Sequence, residues 1–266
     1  MTTQIPVAQS PVAILTGGSG GLVPGIAGEL AQAGFDIVLT ARGCEALQAT
    51  ADWLAAQTGA EVVAITSDAR DAASTRALAD QVLERFGRID ALVNGAAAST
   101  PIGGSIEEVD VDALIADIDV KVGGYLRYAQ AVVPAMKRAG GGHIINIGGL
   151  TGRSSDTLSG LRNAAVSHLT KVLSDQLGPF GISVNAVHPG IVQTPHLEEL
   201  FAEMANEGGK TAKDIEAEFL EQIPTGKLLV PAQVGRMVAF LAEAKDAAIT
   251  GQSLTVDGGY SRGIFL

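Results

Sequence analysis

Val12-Ala13-Ile14-Leu15-Thr16-Gly17-Gly18-Ser19-Gly20-Gly21-Leu22-Val23-Pro24 decides how this chain folds. A short apolar run suits a strand buried on both faces. The glycines after it allow a tight turn whose backbone N–H groups approach an anion, and a following helix points its positive end at that anion. Pro24 suits a first helical turn, where its missing N–H would have no partner anyway. A glycine-rich turn alone says little. Set between an N-terminal strand and a helix, it reads as the pyrophosphate site of a β-turn-α unit.

The pattern repeats outward from there. Val12–Leu15, Ile37–Thr40, Val62–Thr66, Ala91–Val93, His143–Ile147, Ser183–Val187 and Ser253–Val256 read as buried strands. Between them, Pro24–Ala33, Glu45–Gln57, Ser74–Phe86, Asp112–Arg138, Gly160–Leu177 and Gln233–Ala242 read as helices. This alternation predicts an α/β fold: one doubly wound domain over 1–266, with a seven-stranded parallel sheet and helices on both faces. Residues 194–226 break the alternation with a polar, helix-prone stretch carrying Gly208-Gly209. Beyond a strand's C-terminal end it is expected to form a substrate lid, against the alternative of a structural insertion.

Composition narrows the function. Of 266 residues 47% are hydrophobic, enough to bury one full core. A formal net charge of −11 argues against nucleic acid and against an anionic membrane as partners. The single cysteine, Cys44, allows no intrachain disulfide, is read as structural, and fits a cytoplasmic location. Met1–Ser10 lacks the basic start of a signal peptide, and no apolar run reaches the ~18 residues of a membrane span. The four histidines have no cysteine or carboxylate at ligand spacing, so no metal site is expected. No Gly-x-Ser-x-Gly elbow suggests a hydrolase.

Taken along its length, the chain resembles the short-chain dehydrogenase/reductase (SDR) family. The turn Thr16–Val23 is similar to that family's Thr-Gly-x-x-x-Gly-x-Gly loop, with Val23 replacing the last glycine. Asn94-Gly95-Ala96-Ala97 is similar to its Asn-Asn-Ala-Gly, and Val184-Asn185-Ala186-Val187-His188-Pro189-Gly190 to its Val-Asn-x-x-x-Pro-Gly turn. Thr250-Gly251-Gln252 and Val256-Asp257-Gly258-Gly259 match its C-terminal strand and turn. The resemblance implies a Rossmann-type dinucleotide site. Gly17, Ser19, Gly20, Gly21 and Leu22 would form its phosphate loop. Asp68 and Ala69 would lie at the adenine, and Asn94 and Gly95 would also bind the cofactor, against the plainer reading of Asn94 as a turn-former after a strand. Pro189, Gly190 and Val192 would lie beside the nicotinamide, and Thr194 on a phosphate. Val23 adds an isopropyl group where close approach is usual, which would weaken or displace the dinucleotide. Arg42 follows Ala41 where an acidic residue would select NAD. An arginine there pairs with a 2′-phosphate, so NADP(H) is favoured and NAD(H) is the alternative; a solvated arginine is the plainer reading.

The chemistry is where the sequence departs from the resemblance. In the family a lysine cation lowers a tyrosine's pKa so that it can act as the acid. Here Ser159 stands at the tyrosine and Asn163 at the lysine, while Gly148-Gly149 replace two serines. The long helix reads Val120-Lys121-Val122-Gly123-Gly124 where the family has an asparagine in place of Lys121. Lysine and asparagine thus look exchanged, and Lys121 would supply the cation or hold the ribose from the opposite wall; the plainer alternative is drift, with Lys121 snorkelling to solvent. Ser159 fits the proton donor by position. Tyr125, one helical turn beyond Lys121, is a second candidate, though core packing is its plainer role. Arg153 and Arg162 are candidate anchors for an anionic substrate. Leu150, Leu158, Ile191 and Leu197 would make an apolar-walled pocket.

These residues imply a cytoplasmic oxidoreductase acting on a small alcohol or carbonyl. An inactive dinucleotide-binding sensor or subunit, or a non-redox lyase, remains open. The resemblance also implies a homotetramer, with a small-residue patch at Ala129–Ala131 and a buried tail Ile264-Phe265-Leu266.

Overall fold

The computed structural model describes residues 10–97, 106–153, 157–244 and 248–263, with the side chain of Arg153 outside that description. The first β-turn-α unit is β1 (Val12–Thr16) and α1 (Val23–Gln32). Then come β2 (Asp36–Thr40), α2 (Cys44–Thr58), β3 (Val62–Ala64), α3 (Ala72–Phe86) and β4 (Ala91–Asn94). The second half holds α4 (Val111–Ile118), α5 (Gly124–Ala139), β5 (Gly142–Ile147), α6 (Gly160–Leu177) and β6 (Ile182–Pro189). It closes with α7 (Pro195–Gly208), α8 (Ala212–Gln222), α9 (Pro231–Ala242) and β7 (Ser253–Val256).

All seven strands are parallel, in the order β3-β2-β1-β4-β5-β6-β7. Alternate residues of β1 show why both faces need cover. Ala13 and Leu15 pack with α1, α2 and α9, whereas Val12 and Ile14 pack with α3, α5 and α6. The winding reverses between β1 and β4, which leaves a crevice beyond their C-terminal ends. Thr16 braces it: its Oγ1 accepts from Gly95 N at 3.0 Å and Ala96 N at 3.1 Å.

Three expectations need correction. The stretch read as one regular helix, Asp112–Arg138, is helical throughout, but α4 passes into α5 through a wide π turn at Asp119–Gly123. The turn is clamped from outside, where Arg127 pairs with Asp119 at 2.6 Å and donates to the Ala69 carbonyl at 3.0 Å. Ala129 offers no surface patch, because it is packed in the chain's own core with Val132 and Met136. Cys44, read as structural, is exposed at the start of α2 and is not part of the core. The tail Ile264-Phe265-Leu266 lies outside the described residues.

Candidate active site

A cavity of about 1020 Å³ opens at the strand switch. Its floor is the glycine turn. Gly17 has φ +76°, and a Cβ there would sit 2.9 Å from the Gly95 carbonyl, so only glycine lets β1 turn this closely against β4. Gly17, Ser19, Gly20, Gly21 and Leu22 line the cavity, as do Arg42, Asp68, Ala69, Gly95 and Thr194. A Cβ on Gly21 would meet the Thr194 side chain at 3.0 Å, so the turn and the start of α7 close on each other there. This arrangement fits a dinucleotide: amide donors at a helix N-terminus for a pyrophosphate, and a cation at the end of β2.

Other expected cofactor residues sit elsewhere. Asn94 is wholly buried, donating from Nδ2 to Asn146 Oδ1 at 2.9 Å. Asn146 in turn donates to Thr170 Oγ1 at 2.9 Å, so this line of polar groups ties β4, β5 and α6 together rather than facing the cavity. Gly190 packs on Asp257, where a Cβ would come within 2.8 Å. Val192 is buried and bridges to Leu229, and Pro189 ends β6; none of these three is among the cavity-lining residues. Val23 lines the cavity but is only 5% exposed and packs into the core with Ile26 and Leu30. Asp68 accepts from Arg70 N at 2.9 Å and pairs with its guanidinium at 3.3 Å. Those bonds, with a smaller contribution from Arg42, hold its carboxyl below the usual carboxylate range.

At the other end of the crevice, the π turn brings Lys121 inward. Its Nζ donates to Asn163 Oδ1 at 2.8 Å and to the Gly148 carbonyl at 3.1 Å. Asn163 Nδ2 donates to Thr151 Oγ1 at 2.7 Å. Lys121, Asn163 and Ser159 are all buried, and like Pro189, Gly190 and Val192 none of them is among the cavity-lining residues. Burial first, then the Arg162 cation, pushes the Lys121 amine down to about 7, while Asp117 opposes the shift. Val120 and Ile147, the chain neighbours of Lys121 and Gly148, line the cavity.

Two expected participants are engaged elsewhere. The Tyr125 hydroxyl donates to the Ile147 carbonyl at 2.9 Å, and burial raises its pKa, so it is held as a neutral donor inside the core. Arg162 is paired with Asp117, whose side chain is 2% exposed, so its charge is already met within the chain. Leu150, Leu158, Ile191 and Leu197 are each half-buried, and none lines the cavity.

Sequence reasoning missed His188. Its Nδ1 lies 3.1 Å from Gly149 N and its Nε2 3.1 Å from Ser167 Oγ. The imidazole occupies the space a side chain on Gly148 would need. The only signal was a histidine in the Asn185–Pro189 segment and a Gly-Gly pair just after β5, and nothing in one dimension links them.

Residues 18–261 match the family model described as enoyl-(acyl carrier protein) reductase. The short-chain reductase protein NovJ of Streptomyces niveus is 30% identical over 97% of both chains. The chain belongs to the short-chain dehydrogenase/reductase family. Among solved structures of the family, L-sorbose reductase from Gluconobacter frateurii, complexed with NADPH and L-sorbose, has a TM-score of 0.89 at 26% identity, over 96% of this chain and 98% of that one. A single-residue variant of actinorhodin polyketide ketoreductase, with NADPH, has a TM-score of 0.87 at 31% identity, over the same shares. Among the described residues no helix is long and apolar enough to cross a membrane.

Proposed function

We propose that this protein is an NADP(H)-dependent oxidoreductase that interconverts a small alcohol and its carbonyl through a rearranged active site. The observation that carries the reading is the buried Lys121–Asn163 contact against Gly148, beside the cavity. A lysine left over at a dead site would extend to water, because burying its ammonium is costly.

NADP(H) is supported by the NADPH-bound relatives and by Arg42, exposed on the cavity wall with Ala41 and no acidic residue before it. The glycine turn would hold the pyrophosphate, Arg42 the 2′-phosphate and Thr194 a phosphate of the nicotinamide half. Bound NADPH would supply the hydride. In this reading Ser159 and Asn163 stand at the family's tyrosine and lysine, Gly149 at its serine, and Lys121 supplies the cation. Residues 194–226 would act as a lid: α7 and α8 share a separate small core, with Phe201 and Phe219 ring centroids 5.2 Å apart. A homotetramer is supported by apolar side chains left at the surface, Leu126, Leu161 and Phe240. The acidic balance and single cysteine support a cytoplasmic protein without nucleic-acid or membrane partners.

The second reading, an inactive dinucleotide sensor, is favoured by the loss of a phenol at Ser159. Titration with NADPH and NADH, followed by nicotinamide fluorescence and then by oxidation of NADPH with a carbonyl panel, separates the two. NADPH should bind more tightly than NADH, and Arg42→Ala should narrow the gap by about tenfold or more. Equal affinities in the parent would defeat the cofactor assignment, and NADPH binding without turnover would favour the sensor.

A further inference from the structure

We infer that Lys121 is itself the proton donor of this site, not a helper that tunes a neighbouring hydroxyl; the inference rests on the oxidoreductase reading above. The candidates narrow by geometry. Tyr125 gives its hydroxyl proton to the Ile147 carbonyl. Arg162 is committed to Asp117, and a guanidinium does not release its proton in a protein. Ser159 offers only an aliphatic alcohol, a far weaker acid than a phenol. Lys121 offers an ammonium, fixed by two acceptors on separate elements, the Gly148 carbonyl after β5 and Asn163 on α6. An ammonium has three donors, so one remains beyond those two bonds.

Among the described residues, the charged and titratable groups around it come from four elements. Asp117 approaches from α4 and Arg162 from α6, and they act on the amine in opposite senses. Tyr125 lies on α5 with its hydroxyl on β5, and His188 reaches from β6 to Gly149. Burial leaves the amine with a pKa of about 7, where it can both give and regain a proton near neutral pH. In the step, the carbonyl carbon accepts hydride from the reduced dinucleotide and the C=O π pair passes to oxygen. That oxygen takes one proton from Lys121. The neutral amine then regains a proton from water, and the alcohol and oxidised dinucleotide leave.

Lys121→Met removes the proton, whereas Lys121→Arg keeps a cation that cannot release one. At saturating NADPH, with a β-ketoester, an α-diketone and an aromatic aldehyde as substrates, both variants should lose about 10²–10⁴-fold in kcat, the range for a general acid. An active Lys121→Arg would mean that only the cation matters and would overturn the inference, as would an active Lys121→Met. A readout without substrate guards against misfolding: in the lysine-labelled parent, NMR titration should find one amine, absent from the Lys121→Arg spectrum, titrating far below the others. If that amine titrates with the rest, the inference is wrong. A parent that binds NADPH but reduces none of the three substrates overturns both the inference and the oxidoreductase reading, in favour of the sensor. A parent that binds no NADPH defeats the underlying oxidoreductase reading instead.

Discussion

A Cβ on Gly149 would lie 2.8 Å from Nδ2 of Asn163. The glycine and the asparagine therefore depend on each other: Asn163 occupies the room that a side chain at 149 would need. Gly148 and the His188 ring stand in the same relation. The Gly148-Gly149 pair thus has a packing role of its own. It admits the two side chains that brace Lys121 and its acceptor carbonyl.

Gly149→Ser on its own should therefore destabilise the protein by about 1–3 kcal/mol, as overpacking of a filled site does. Adding Asn163→Ala should relieve part of that cost, giving a coupling above ~0.5 kcal/mol in a double-mutant cycle of urea unfolding. Strictly additive effects would show that serine fits without displacing Asn163.

The buried amine also makes stability depend on pH. An unfolded lysine titrates near 10.5 and Lys121 in the folded chain near 7. Between those values the unfolded chain binds one more proton, so stability contributed by this group rises with pH through the window, by up to about 1.4 kcal/mol per unit. Below 7 both states are protonated and its effect is a constant penalty. Urea unfolding of the parent and Lys121→Met, at one-unit steps across the window, should show the rise only in the parent. Parallel profiles would contradict the shifted amine.

Arg162 and Asp117 form a buried pair, with side chains 13% and 2% exposed. Arg162→Met leaves the carboxylate buried without its cation and should cost about 3–5 kcal/mol. Replacing both by apolar residues, Asp117→Leu with Arg162→Met, should recover most of it. The single change should also raise the Lys121 pKa, because the repelling guanidinium is gone while Asp117 still attracts. An unmoved lysine titration in Arg162→Met would remove Arg162 from the electrostatics of the site.

Much of this was readable in one dimension, for physical reasons. Buried parallel strands are continuous apolar runs, so all seven showed, with β3 shorter than the run Val62–Thr66 suggested. The glycine turn showed because its backbone demands are local. The π turn did not, since no residue in Asp119–Gly123 carries a local backbone demand that marks where a helix takes in an extra residue. Lys121 and Asn163, 42 residues apart, were legible only by comparison with a family pattern. The Asp117–Arg162 and His188–Gly149 contacts had no such pattern behind them and needed the fold.

The proposed exchange of lysine and asparagine can be tested by reversing it. Lys121 and Asn163 meet at 2.8 Å, amine to amide oxygen. Lys121→Asn sets two amides against each other, and Asn163→Lys sets two amines together in a buried space; each single change should weaken NADPH binding. The double variant places one lysine and one asparagine there again, from the opposite walls, and should recover binding with a coupling above ~0.5 kcal/mol. Turnover should stay low in the double variant, because position 121 no longer carries a donor and Ser159 is a poor acid. Adding Ser159→Tyr would supply a phenol beside the relocated cation, which lowers a phenol's pKa, and reductase activity should then return. Calorimetric titration with NADPH and NADPH-oxidation rates measure the two halves separately. Simple additivity of the two substitutions in binding would show that Lys121 and Asn163 share a contact without sharing a role.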